Sequence, residues 1–217
     1  MKTKHLFSLM LASLVGATIS LAEPAPQMPI AATEQIGGTV SMYLLNPRGE
    51  VDGLLLTDGT QVKFPPHMSA DLTSWVKPNE PITAQGLREV VPVFTAFTIS
   101  NASGQALNEA RPIRPQPPPD LQSVNFTPMQ ADGKIRVVLH APRGEVEGAV
   151  LEDGTIVRIA PHVSAQFSTL FQPGVTIFAK GYGTQNEFGR ALEATEIGAN
   201  GRAVTAIYGT TAPPLPR

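Results

Sequence analysis

Apolar and polar residues alternate along two similar stretches of the chain, TVSMYLLN and KIRVVLHA. The apolar positions on one face are Val40, Met42 and Leu44 in the first stretch and Ile135, Val137 and Leu139 in the second. A period of two predicts a β-strand in each place. Pro and Gly in NPRG and APRG then predict a type I turn, and Asp-Gly in TDGT and EDGT predicts a tight hairpin turn. Each stretch therefore begins a three-stranded meander.

The apolar spacing changes after the third strand. Met68, Leu72, Trp75 and Val76 recur at i, i+4, i+7 and i+8, and the second stretch repeats this spacing from Val163 to Phe171. That period predicts a short amphipathic helix. The sequence further predicts Ser69 and Ser164 as N-caps and Pro78 and Pro173 as the residues that end the helices.

Two more strands complete each unit, one at PITAQG or TIFAKG and one near FTAFTIS or ALEATEI. Three strands, a helix and two strands are the chain order of the OB-fold, a five-stranded barrel. We therefore expect an all-β protein of two tandem OB-fold-like barrels, each with one short helix between strands three and four. The alternative is an SH3-like barrel, which usually lacks that helix.

The two units are copies of each other. Residues 39–86 align with residues 134–181 at a constant offset of 95, and about half of positions 47–86 are identical. A repeat of this length predicts independent domains rather than a solenoid. We predict a signal peptide at 1–22, a spacer at 23–37, barrel 1 at 38–107, a Pro-rich linker at 108–132, barrel 2 at 133–201 and a Pro-rich tail at 202–217.

The beginning of the chain predicts export. Lys2, Lys4 and His5 precede an apolar run, and the small residues Ser20 and Ala22 suit cleavage after Ala22. The sequence contains no cysteine, so it predicts neither a disulfide nor a lipid-modified cysteine. Its net charge of −2 offers no strong electrostatic attraction to phosphate. We expect a periplasmic or secreted protein.

The stretches RGEVDGLLLTDGTQVKFPPHMSA and RGEVEGAVLEDGTIVRIAPHVSA resemble the small exported bacterial OB-fold proteins of the BOF type, whose role is unknown. The resemblance covers residues 39–104 and 134–201. It implies a periplasmic binding or stress-related module without catalytic residues. The tandem arrangement departs from the single-domain pattern of that family.

Two Arg-Glu pairs are the candidate ligand-binding residues. Arg48 and Glu50, with Arg143 and Glu145, follow the first strand of each unit, where OB-folds often bind ligands through their loops. A guanidinium there suits a carboxylate, a phosphate or a sugar hydroxyl. The alternative is that each pair only stabilises its turn.

Metal and acid–base chemistry have weaker candidates. His67 and His162 are alone in their copies, and no second ligand stands at metal-binding spacing, so helix-entry histidines are the alternative reading. They could meet only if the barrels packed with twofold pseudosymmetry. The acids Glu50 with Asp52, and Glu145 with Glu147, share a strand face that we expect to be solvated.

The sequence favours the remaining classes less, and nucleic-acid binding by an OB-fold stays as the weaker alternative. Nucleic-acid binding by an OB-fold needs a basic groove with stacking aromatics, whereas each third strand offers one base, Lys63 or Arg158, and Trp75 lies on the helix. We find no catalytic constellation and expect no enzyme and no cofactor. The glycines of GYGTQNEFG predict a flexible loop between strands four and five. The sequence favours a non-enzymatic module that binds a small ligand or an envelope protein or peptide through barrel loops, with an envelope scaffold as the alternative.

Overall fold

The computed structural model describes residues 33–109 and 126–208. The predicted signal peptide lies outside these residues. So do most of the spacer and linker and the end of the predicted tail. Within the described residues the protein is all-β, with two closed five-stranded barrels and two short helices. The alternating positions predict the strands, and the change of spacing after the third strand predicts a helix in each copy.

The first barrel consists of five barrel strands, one helix and a short sixth strand. These are β1 (Glu34–Leu45), β2 (Val51–Leu56), β3 (Gln61–Lys63), α1 (Ser69–Trp75), β4 (Pro81–Arg88), β5 (Val93–Asn101) and β6 (Ala106–Asn108). The second barrel repeats the order with β7 (Thr127–His140), β8 (Val146–Leu151), β9 (Ile156–Arg158), α2 (Pro161–Ser164), β10 (Thr176–Asn186), β11 (Gly189–Gly198) and β12 (Val204–Ala206).

Strand pairing identifies the topology. In the first barrel β3 pairs with β2, β2 with β1, β1 with β4, β4 with β5, and a parallel pairing of β5 with β3 closes the ring. The second barrel closes in the same way through β9 and β11. This closed order, with the helix after the third strand, is the OB-fold rather than the SH3-like alternative. The short sixth strands β6 and β12 extend each sheet and were not predicted.

Two glycines show why each barrel can close so tightly. At Gly86 and Gly181 the register of strands four and five shifts, and a Cβ atom there would lie 1.9 Å and 1.8 Å from the carbonyl oxygens of Thr95 and Glu193. Only glycine lets the two backbones approach so closely. The repeat retains both glycines because the bulge requires them.

The predicted helix caps are wrong. The helix α1 follows a 3₁₀ turn at Pro66–Met68, and the Ser69 hydroxyl accepts a hydrogen bond from the amide of Val51 at 2.9 Å instead of capping the helix. Ser164 donates to the carbonyl of Pro161 at 2.9 Å. Both serines are buried, and neither hydroxyl accepts a hydrogen bond from an amide of its own first helical turn.

The predicted loop at residues 181–189 is mostly strand. Gly181–Asn186 belong to β10 and pair continuously with β11, and only Glu187 and Phe188 form the turn. The antiparallel ladder reaches this far because glycine does not prevent strand pairing when the partner strand is long.

Candidate functional site

The two barrels share one apolar core. Leu139, Val150, Ile156 and Ala191 of the second barrel are fully buried in the same cluster as the core residues of the first. The rest of the second barrel has its own core around Ile135 and Leu192. The barrels therefore meet through buried side chains rather than through a linker alone.

Four charged side chains lie at this junction and form what we call the ionic cluster: Asp52, Lys63, Glu147 and Arg158. Lys63 pairs with Glu147, and Arg158 pairs with Asp52 at 2.7 Å, so each barrel's base meets the other barrel's acid. Asp52 and Glu147 are repeat equivalents, as are Lys63 and Arg158. The barrels thus pack with twofold pseudosymmetry. The expectation of a solvated acidic face is wrong for Asp52 and Glu147, because the neighbouring barrel covers that face.

Arg158 is the centre of the ionic cluster. Its side chain is 8% exposed, and its Nη1, Nη2 and Nε atoms donate to Glu147 at 2.5 Å, Asp52 at 2.7 Å and the carbonyl oxygen of Leu45 at 3.0 Å. A planar guanidinium can serve three acceptors at once, whereas the ammonium of Lys63 serves as a point charge. The two sides of the pseudosymmetric junction are therefore not equivalent.

Burial and mutual charge act in opposite directions on these groups. Burial raises the pKa of Asp52, although Arg158 and Lys63 lower it. Burial, with the neighbouring Arg158, lowers the pKa of Lys63. Burial also acts to lower the pKa of Arg158, but the carboxylates of Asp52 and Glu147 outweigh it and the pKa is raised. The cluster is a balanced set of buried charges, in which each ion depends on its partners.

A third acid, which belongs to the second barrel, extends the cluster. Glu193 lies opposite Arg158 in the β9–β11 pairing and accepts a hydrogen bond from the Tyr208 hydroxyl at 3.2 Å. Burial raises the pKa of Glu193. Burial and the Glu193 carboxylate raise the pKa of Tyr208 to about 12.

The loops proposed for ligand binding contact the opposite barrel. Asn186, in the β10–β11 hairpin, donates to the carbonyl of Gly49 at 2.8 Å, beside Arg48 and Glu50. The amide of Val90, in the β4–β5 connection, donates to the carbonyl of Pro142 at 3.2 Å, beside Arg143. The structure thus places each Arg-Glu pair next to the other barrel.

The predicted ligand-binding residues differ in exposure. The Glu50 carboxylate accepts a hydrogen bond from the Asn46 side chain at 2.8 Å, which fits a turn-stabilising role, and Arg48 is half-buried. Arg143 and Glu145 are exposed. Ligand binding by these four residues stays a prediction.

The histidines at the helix entries, His67 and His162, are both exposed. Within residues 33–109 and 126–208 no three His, Cys, Asp or Glu side chains come together as a metal site needs. The bases of the third strands, Lys63 and Arg158, point into the ionic cluster and are paired there. They are therefore not available to a phosphate backbone.

An open groove lies at the junction, and we call it the junction groove. Its volume is about 380 Å³, within the range of about 300–1,000 Å³ typical of ligand sites. Residues of both barrels line it: Gln61 and Pro92 of the first and Arg136, Val138, His140 and Val146 of the second.

Gln61 lines the junction groove and joins the barrels. It is fully buried, and its amide donates to the carbonyl of Val138 at 2.8 Å and accepts from the amide of His140 at 2.9 Å. These two bonds attach its side chain to the backbone of β7. Beside it, the Nδ1 atom of His140 is buried without a hydrogen-bond partner among the described residues, and burial lowers the pKa of this histidine.

Sequence reasoning missed both features, yet each has a signal in the repeat. Matching charges at a constant offset, inside otherwise apolar strands, point to a symmetric ionic contact. Gln61 and His140 stand at positions where the two copies differ, because their equivalents are the apolar residues Ile156 and Leu45. A polar residue in place of an apolar one marks a changed environment.

The fold and the junction define a tandem pair of OB-fold barrels joined through a buried ionic cluster. No family model matches the chain, and no curated protein matches it. Within the described residues no helix is long and apolar enough to cross a membrane.

Two solved structures of the single-stranded DNA-binding protein from Thermus aquaticus are similar to the chain. The wild-type protein is 13% identical over 85% of this chain and 96% of that chain, with a TM-score of 0.25. A deletion variant is 14% identical over 76% of this chain and 92% of that chain, with a TM-score of 0.23. Similarity at this level identifies no equivalent binding surface.

Proposed function

We propose that this chain is an exported, non-enzymatic binding module of the periplasm or the extracellular space, which holds a protein or peptide partner in the junction groove. One observation carries the proposal. The groove is lined by both barrels, so the packing that joins the barrels also creates the site. Sites between domains are a common location for ligands.

The make-up of the groove favours a peptide-like partner. Val137, Val138 and Val146 supply apolar surface, while Arg136 and His140 supply polar groups at the same opening. An apolar floor with a few polar groups at its edge is typical of protein recognition sites. The two barrels share a core, which keeps these walls in a fixed arrangement and reduces the ordering cost of binding.

Site-specific photo-crosslinking in the producing cell tests this function. A benzophenone amino acid is placed at Val146, which is half-buried in the groove, or at Thr205, which is exposed on β12 and serves as the matched control. We expect an adduct of defined mass from position 146 alone. No adduct from either position, or the same adducts from both, would refute binding in the groove.

The loop prediction from the sequence is tested in the same experiment. The double variant Arg48→Ala with Arg143→Ala should leave the adduct from position 146 unchanged. If the adduct disappears while the variant remains folded, the partner binds through the turns instead. For export, N-terminal sequencing of the recovered protein should begin at Glu23, whereas a chain that begins at Met1 would contradict cleavage.

A further inference from the structure

The junction groove has a pseudosymmetric equivalent, which we call the twin site, and the two differ in how far the protein itself fills them. The equivalents of the groove residues Gln61, Val138, His140, Val146 and Phe171 lie in the twin site. They are, in the same order, Ile156, Tyr43, Leu45, Val51 and Val76, all of them at most 6% exposed. The twin site is filled, whereas the junction groove is open.

A turn of the chain itself fills the twin site. Phe188, at the tip of the β10–β11 hairpin, contacts the ring of Tyr43 edge to face, with centroids 5.6 Å apart and planes at 87°. The hairpin is fixed by the bond from Asn186 to the carbonyl of Gly49 at 2.8 Å. The occupant of the twin site is therefore an aromatic side chain carried on a tight peptide turn.

Within the described part of the chain no such turn reaches the junction groove. The β4–β5 connection is three residues shorter than the β10–β11 hairpin, because Gly86 pairs with Ala96 while Gly181 pairs with Ala194. Its tip carries Val90 and Val91 in place of an aromatic residue, and their exposures are 54% and 74%. Val138 also has a much smaller side chain than Tyr43, so it fills less of the groove than Tyr43 fills of the twin site.

The groove also differs from the twin site in polarity. His140 takes the place of Leu45 and Gln61 the place of Ile156, so two polar side chains line the groove where the twin site has apolar ones.

We propose that the junction groove binds an aromatic residue presented on a peptide turn of a partner protein, in the manner of Phe188 in the twin site. The proposal rests on the proposed function and names the chemistry of its partner. The aromatic ring packs on Val138 and Val146, which line the groove. The chain's own hairpin is thus a template for the ligand.

A peptide copied from the twin-site hairpin is the probe. The peptide Thr-Gln-Asn-Glu-Phe-Gly-Arg, residues 184–190, is titrated into the methyl-labelled mature protein and followed by NMR, and a version with Ala for Phe is the control. We expect the methyl signals of Val137, Val138 and Val146 to shift, with affinity at least tenfold weaker for the Ala peptide. Equal affinity for the two peptides, or shifts that map elsewhere, would overturn the proposal.

Two groove variants and one control variant complete the test. Val138→Tyr places in the groove the residue that the twin site has, and should weaken peptide binding at least tenfold. If this variant does not fold, Val146→Trp, at a half-buried position, provides the same block. Thr205→Tyr should bind like the parent protein. Unchanged binding by a folded groove variant refutes the proposal.

The outcomes separate this inference from the proposed function. Crosslinking from position 146 together with failure of the Phe peptide leaves a binding module whose ligand is not an aromatic turn. Peptide binding without a cellular adduct leaves a functional groove but contradicts the proposed role in the cell.

Discussion

Replacing Arg158 by Met removes the side chain on which the ionic cluster depends. In the folded protein Arg158 donates to Asp52, Glu147 and the carbonyl of Leu45. Met has a similar length and no charge, so it fills the space without pairing. The substitution therefore leaves Asp52 without its closest cation, while Glu147 retains its pairing with Lys63.

The expected loss in the free energy of unfolding follows from the carboxylate of Asp52, which the substitution leaves without its closest cation. Removing one member of a buried ion pair costs about 3–5 kcal/mol, because the other charge stays buried and uncompensated. Asp52 is 22% exposed, so water reaches it in part, and Lys63 lies in the same cluster. Both features favour the lower end of that range. We expect the free energy of unfolding to fall by about 3 kcal/mol at pH 8.

The loss should shrink as the pH falls. Arg158 lowers the pKa of Asp52, so its removal lets burial raise that pKa further above the ordinary value of 3.8. The pH window lies between the ordinary pKa of Asp52 and its raised pKa in the folded variant. In this window the folded variant binds more protons than the unfolded chain, so its stability falls as the pH rises. As the pH falls through this window, Asp52 becomes protonated in the folded variant, and the uncompensated charge disappears.

Urea unfolding at pH 4, 6 and 8 measures both effects, with circular dichroism and the fluorescence of Trp75 as signals. The control is Lys134→Met, which breaks an exposed pair with Glu152 at 4.0 Å and should cost no more than about 0.5 kcal/mol. A cost below about 1 kcal/mol for Arg158→Met at pH 8, or a cost that grows toward pH 4, would refute the reasoning.

The same unfolding assay checks three other substitutions. Gln61→Ile installs the residue of the twin site but leaves two backbone groups of β7 unpaired, so we expect a loss of about 2 kcal/mol, and a neutral result would mean that water replaces the amide. Phe188→Ala uncovers the twin site and should cost about 2 kcal/mol, whereas a value near zero would show that the hairpin does not hold the barrels together. Gly181→Ala places a Cβ against the Glu193 carbonyl and should cost about 3 kcal/mol, while Gly133→Ala, whose nearest neighbour is the Leu151 side chain at an ordinary contact distance of 3.5 Å, should cost much less. Equal losses for the two glycines would contradict the close approach of the strands.

Each barrel could be predicted from sequence because its signals are local. The alternation from Val40 to Leu44 and the Asp58-Gly59 turn each depend on neighbouring residues. In the structure Gly59 has φ of +90°, and its amide bonds to the carbonyl of Leu56, as the turn predicts. Local signals in the correct order were enough to select the OB-fold over its alternative.

The junction could not be predicted because periodicity does not tell what covers a polar face. Asp52 and Glu147 occupy positions that alternate correctly for an outer face, and one barrel alone would leave them in water. The neighbouring barrel buries them, and their partners across the junction lie 106 and 84 residues away along the chain. The same limit applies to Ser69, whose hydroxyl bonds to the distant amide of Val51 rather than to its own helix.

The repeat distinguishes the residues that build the fold of both copies from the residues that make the two sides of the junction different. Identical residues such as Gly49 and Gly144 make the same turn in both copies, and the ionic cluster needs an acid and a base at the same two positions of each copy. An exact copy would give two equal sites. On one side Arg158 bonds to the carbonyl of Leu45 and Phe188 covers Tyr43. On the other side Lys63 stands in the place of Arg158, and the equivalents of Leu45 and Tyr43 are His140 and Val138. Closing one side fully gives the junction its stability, so the second side can diverge into a groove without separating the barrels.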